Sequence, residues 1–373
     1  MPIFQPLSRL ALAVVLIAGL RWPPAARAEE LIARLPASGS VVISIDAARL
    51  LANPAWKNLI DDLTGSASQA LAPIMAEFDA TCKTLEVNPR QDLRDLAFLL
   101  PFPRPGGQME EGLLLLRGTF QKEAMVAALE KDESFKIDGK IDTFEGLTAI
   151  RAVGKPDFTV FLASDLLAVG NESWLREAIA VQNGKGPALS TSPGFSDLVK
   201  RVPAGTPVWI GAVLTPESQQ QIAQAASDTP YAAFSRMVDL LLTIDVTTAI
   251  EARLQVRAET PEAAGVIGST IEGTIAQARL NATGAPAEWV KLLNGFTFKS
   301  EGAMAIVNLS YPLADVKVLV QRFQETTSPG GPAPASDDDR LDPGLPPGES
   351  EPEGPPDSGA TDDPPQETNE PGS

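Results

Sequence analysis

The chain has 373 residues, 30 Lys or Arg against 48 Asp or Glu, a formal charge of −18, one cysteine and no histidine. Without histidine there is no imidazole base, no Ser-His or Cys-His nucleophile pair, and none of the usual zinc or copper ligand sets. With Cys82 alone, no intramolecular disulfide can form, and an acidic chain with no basic cluster is repelled by nucleic acid and by anionic lipid.

The chain opens like an export signal. Arg9 precedes the apolar run LALAVVLIAGL, and Ala26-Arg27-Ala28 forms a small-x-small cleavage site. The run is too short for a comfortable membrane span, so residues 1–28 read as a signal peptide cleaved to leave Glu29 first. No later segment is apolar enough to span a bilayer. The expected location is periplasmic or extracellular.

VVISI (41–45) is β-branched and reads as a buried strand. Asp46 ends it, either as a turn or cap residue or as a possible functional carboxylate. Asn53-Pro54 then opens a helix with Trp56, Leu59, Ile60 and Leu63 on one stripe, and a second helix carries Leu71, Ile74, Met75 and Phe78. Cys82, after an apolar helical pattern, reads as a small buried hydrophobe.

LAFLL (96–100) and GLLLLRG (112–118) are expected strands, joined by PFPRPGGQMEE (101–111). That loop is far longer than a hairpin needs, and three prolines stiffen it. Phe102, Arg104 and Met109 make it a candidate contact surface. A helix follows, burying Met125, Val126 and Leu129. DFTVFLA and LLAVG form a hairpin at Ser164-Asp165, and Asn171 caps a helix with Trp174, Leu175 and Ile179 on its inner face.

After the Gly/Pro/Ser-rich linker 183–194 the series starts again. RVPAGTPVWIGAV (201–213) echoes RLPASGSVVISID (34–46), placing Arg34 on Arg201, Pro36 on Pro203 and Ile43 on Ile210. Thr215-Pro216 is a cap pair, and Phe234, Val238 and Leu241 suggest a second helix. LTIDV (242–246) and AIEARLQVRA (249–258) are strands. Thr260 caps a helix lined by Ile267, Ile271 and Ile275, and GFTFKS, AMAIVNLSY and a helix bearing Leu313, Val316, Val320 and Phe323 close the half.

The fold class read from this order is α+β: two diverged copies of an antiparallel sheet with helices packed on one face. The copies are 29–185 and 186–325. Residues 326–373, with twelve acids against Arg340 and almost no large apolar residues, are expected to be a disordered tail.

RLPASGSVVISID with NPAW, DLRDLAFLLPFP before EGLLLLRGTF, and FLASDLLAVGNESWLREAI together resemble a group of exported bacterial proteins of unknown function. The resemblance implies export and the repeated α+β unit. The group has no settled activity, so no catalytic residue is carried over.

The catalytic vocabulary is thin. Lys three places after Ser, G-x-S-x-G, Walker A and G-x-G-x-x-G are all missing. Asp61-Asp62 diverge on a helix and read as a solvated face. No cofactor and no metal are expected. The leading expectation is a non-catalytic exported protein that binds a protein, peptide or envelope component, or serves in assembly; the alternative is an extracytoplasmic hydrolase or lyase using carboxylates. Oligomeric state is not encoded in any of these patterns.

Overall fold

The computed structural model describes residues 27–56, 58, 87–102, 112–227, 229–282, 285–316 and 318–319. The chain divides into a unit of residues 1–327 and a second of 328–373. The second unit, the signal segment through Ala26, Leu59 to Phe78, Cys82, Val320 and Phe323 all lie outside the described residues.

α1 (Arg27–Ile32) leads to β1 (Val41–Asp46). The Asp46 carboxylate accepts the Arg49 N–H at 2.8 Å and so caps α2 (Ala47–Ala52). Asn53 ends α2, and its side-chain oxygen accepts from the Ala55 N–H at 2.9 Å, restarting the helix at Pro54 as an Asn-Pro pair should. Next come α3 (Pro89–Asp92), β2 (Leu93–Leu100) and β3 (Leu113–Gly118). α4 (Lys122–Lys131) and α5 (Glu133–Asp138) precede two hairpins, β4 (Gly139–Phe144) with β5 (Leu147–Ala152), and β6 (Phe158–Ala163) with β7 (Leu166–Gly170). Asn171 then caps α6 (Glu172–Gln182) through the Trp174 N–H at 3.1 Å.

α7 (Pro193–Val199) precedes β8 (Val208–Val213), and Thr215 with Ser218 forms a capping box on α8 (Pro216–Ala225). A 3₁₀ turn, Pro230–Arg236, enters β9 (Met237–Val246), which turns tightly into β10 (Ala249–Ala258). Thr260 caps α9 (Pro261–Asn281) through Ala263 N–H at 3.2 Å. α10 (Ala287–Asn294), β11 (Phe296–Glu301) and β12 (Met304–Pro312) follow, and residues 313–316 and 318–319 are helical, as expected for the stretch bearing Leu313 and Val316.

Among the described residues the strands join one antiparallel sheet of 12, ordered β11-β12-β10-β9-β8-β1-β2-β3-β7-β6-β5-β4. The fold is therefore mixed α and β around one continuous sheet. The two halves of the chain meet at the β1–β8 pair, where Ile43 lies opposite Ile210, Val41 opposite Ala212 and Ile45 opposite Val208.

The expected one-sided helical cover is not what forms. Side chains alternate across a strand, and in β3 both sets are buried. Leu113 and Leu115 join a cluster with Leu31 of α1, Leu175 and Ile179 of α6 and Leu198 of α7. Leu114 joins the opposite cluster with Leu50 of α2. On that second face α4 and α5 pack with Leu167, and α9 packs with Val256 and Ala305. Helices cover both faces because the central strands are apolar on both sides, as in the fully buried LLAVG of β7.

Two further expectations change. Val238 and Leu241 lie in β9, not in a helix; the alternation of buried and half-buried residues along MVDLLLTIDV outweighs their helical spacing. The β4–β5 hairpin was not foreseen. Its turn uses Glu145 at φ 49° and Gly146 at φ 80°, a left-handed pair reached without the usual Asn-Gly signal.

The halves share a core. Trp209 of β8 and Leu241 of β9 sit in the cluster built otherwise on residues before 200. At Gly211 an added Cβ would lie 2.6 Å from Leu198 and 3.0 Å from the Trp209 ring, so this glycine lets α7 approach the sheet.

Candidate functional site

Two carboxylates are buried in the sheet, Asp95 on β2 and Asp239 on β9. Each faces an arginine directly across a hairpin: Asp95 is opposite Arg117, and Asp239 opposite Arg257. A buried carboxylate is costly unless its charge is met by a hydrogen-bonded partner, and arginine supplies that to each. Arg117 donates Nε and Nη2 to Asp95 at 2.9 and 2.7 Å. Arg257 reaches Asp239 at 2.5 Å, and Arg201 donates to the other Asp239 oxygen.

The first of these pairs borders a cleft of about 440 Å³, lined by Glu30, Arg34, Arg117, Asp165, Gln182 and the apolar Leu31, Ala33, Ala163 and Leu166. The chain brings these together for local reasons. Leu31 is 1 % exposed and anchors α1 on the sheet, which fixes Glu30 at the rim. Gly118 N–H donates to the Asp165 carbonyl at 2.9 Å, holding the β6–β7 turn against the end of β3. Arg34 donates from Nη1 to Gln182 at the end of α6.

Arg117 is the hinge of the arrangement. Its third nitrogen donates to Glu30 at 2.6 Å, so one guanidinium links a carboxylate in the sheet to one at the surface. Burial alone would lower its pKa; attraction and hydrogen bonds from Asp95 and Glu30 outweigh that and raise it. The side chain is a fixed cation. Asp165 is exposed, and among the described residues its carboxylate has no partner. The cleft thus presents both signs of charge over an apolar floor.

Of the residues singled out in the sequence, neither Asp46 nor Phe102 lines the cleft. Asp46 is opposite Asp95 in the β1–β2 register, but its carboxylate is engaged in capping α2. Phe102 is half-buried and packs against the second-face cluster of Leu214, Met237 and Val256. Arg104 and Met109 lie outside the described residues. Sequence reading passed over Asp95, Arg117, Asp239 and Arg257. The signal was present: DLAFLL and LLLLRG, then DLLLTI and RLQVRA, each put an acid at the head of one strand and an arginine near the end of the next. Reading the strands as LAFLL and LTIDV left both acids outside them. Among the described residues no group of three or more Cys, Asp or Glu side chains is placed to hold a metal ion, and no helix is long and apolar enough to cross a membrane.

No protein-family model, curated protein or solved structure matches this chain.

Proposed function

We propose that the protein is an exported, non-catalytic binding or assembly protein of the bacterial envelope, built from two diverged copies of one sheet unit. The observation that carries the non-catalytic reading is the state of the buried acids. Asp95 and Asp239 each accept at least two arginine hydrogen bonds. A carboxylate held this way is an acceptor with its charge met by arginine and is turned into the sheet rather than toward a substrate.

Support for two copies comes from strand order and register. Counted outward from the β1–β8 pair, β1-β2-β3-β7-β6 mirrors β8-β9-β10-β12-β11. Setting Val41 on Val208, as the sequence echo does, carries Leu100 onto Ile244, Asp95 onto Asp239 and Arg117 onto Arg257 through the observed partners. The pairing of Val41 with Ala212 is then matched by that of Val208 with Ile45, the signature of a two-fold relation. Asp46 falls on Val213, so the acid at that position is not part of the shared unit.

The export reading rests on residues 1–28, and the contact-surface reading on the loop bearing Arg104 and Met109. Expression with the leader intact tests both. The chain recovered outside the cytoplasm should begin at Glu29, and cross-linking in the native envelope should capture a partner that is lost when 103–111 is replaced by Asn-Gly. Phe102 is kept in that variant because it packs in the core. A chain still starting at Met1 inside the cell, or an unchanged partner set, sinks the respective part. The hydrolase or lyase alternative draws on Glu30 and Asp165, two carboxylates that share the cleft.

A further inference from the structure

The two copies treat one arginine differently, and the difference leaves a cavity in the first. In the second half Arg201 turns inward, with Nη2 on Asp239 and Nη1 3.5 Å from the Met304 sulfur. With Arg257 it gives that carboxylate two cations. In the first half Arg34, the matching residue, stays out and hydrogen-bonds Gln182. Asp95 is left to Arg117, and Arg117 turns its remaining nitrogen to Glu30. What results is the cleft of about 440 Å³, room for about fifteen water molecules at liquid density.

Its charges are divided. Arg117 is balanced by Asp95 and Glu30, so it offers little to a newcomer. Arg34 retains Nε and Nη2 beyond its one bond to Gln182. Asp165 retains its whole carboxylate, and Glu30 retains one oxygen, since Oε2 alone meets Arg117. A simple cation entering the cleft meets Arg34, and a simple anion meets Asp165 and Glu30. A molecule carrying both charges a few bonds apart satisfies both sides, and an apolar side chain can rest on Leu31, Ala33 and Leu166.

Resting on the reading of the protein as a binding protein, we propose that this cleft binds a small zwitterion, a free amino acid or short peptide, with its ammonium toward Asp165 and Glu30 and its carboxylate toward Arg34. A bidentate guanidinium–carboxylate contact is the stronger arm, because the planar fork matches the two oxygens.

Titration calorimetry on the full chain with four probes decides it: glycyl-leucine, N-acetyl-glycyl-leucine, glycyl-leucine amide and free leucine. Glycyl-leucine should bind saturably at one equivalent. The acetylated and amidated forms, each lacking one charge, should bind at least tenfold more weakly. Asp165→Asn should weaken glycyl-leucine and the amide about tenfold and leave the acetylated form unchanged; Arg34→Gln should do the reverse. Both side chains are exposed, so a thermal melt should confirm the fold of each variant. Free leucine binding as tightly as the dipeptide assigns the site to amino acids, and weaker binding assigns it to peptides. No saturable glycyl-leucine binding, or equal binding of all three dipeptides, overturns the proposal. Neither outcome depends on export, which the N-terminal sequence tests separately.

Discussion

The same face of the sheet is built in opposite ways in the two halves. In the first, Leu113 and Leu115 of β3 and Phe158 and Val160 of β6 are buried beneath α6 and its neighbours. In the second, the strands at the same distance from the centre carry Arg253 and Gln255 on β10, and Thr297 and Lys299 on β11. Among the described residues α9 packs on the other face there, and Glu251, Arg253, Thr297, Lys299 and Glu301 are exposed. The register, the strand order and the Asp-Arg pair persist while the surface chemistry changes. Backbone pairing and one buried ion pair hold the unit together; the residues around them follow whatever covers the face.

Exchanging chemistry between the halves gives the largest effect. Leu113 is 0 % exposed, and Leu113→Arg places an unpaired charge in the main core. A loss above about 5 kcal/mol is expected, seen as absence of a cooperative urea transition. Arg253→Leu, in the exposed counterpart, should change stability by less than about 0.5 kcal/mol. Equal effects would break the comparison.

The ion pairs should differ next. Asp239→Ala strands two arginines that share a fully buried carboxylate and should cost about 3–5 kcal/mol. After Asp95→Ala, Arg117 keeps Glu30, and a loss of about 1–3 kcal/mol is expected. Urea midpoints in the reverse order would mean that Glu30 contributes nothing in compensation. The helix caps should be equivalent: Asn171→Ala on α6 and Thr260→Ala on α9 should each cost about 1 kcal/mol.

The smallest effect is alkaline. Burial, with Asp315 and Glu288 nearby, raises the Tyr311 phenol above its ordinary 10.0. Above that pH the unfolded chain loses its phenolic proton first and binds fewer protons than the folded one, so stability falls as pH rises. Melts from pH 9 to 11 should show this slope, flattened in Tyr311→Phe. That variant also loses the Tyr311 hydrogen bond to the Glu288 carbonyl at 3.0 Å.

Local signals carried much of the fold. The strand at VVISI, the caps at Asn53, Asn171, Thr215 and Thr260, and the hairpin at Ser164-Asp165 are written in residues within a few positions of each other. The expectation of helices on one face failed although the signal against it was local, since GLLLLRG and LLAVG have no polar side to show solvent. Phe234, Val238 and Leu241 satisfied a helical spacing by coincidence, and only β-pairing on two sides resolves it. The cleft was beyond reach. Glu30, Arg34, Arg117, Asp165 and Gln182 meet through a register that no short window contains, whereas the turn or cap role read for Asp46 is local and is the one it takes.

β1 stands at the centre of the sheet yet near the start of the chain, and one of its two partners is β8. Until Val208–Val213 has been made, the backbone of VVISID is bonded on one side alone. A strand of β-branched residues with a bare edge pairs readily with the wrong neighbour. Completing the pairing of β1 therefore needs a strand from the second half, a long-separation contact of the kind that slows folding. For a chain made from its N-terminus, a strand at the heart of the finished sheet stays half-paired until more than 160 further residues have followed it.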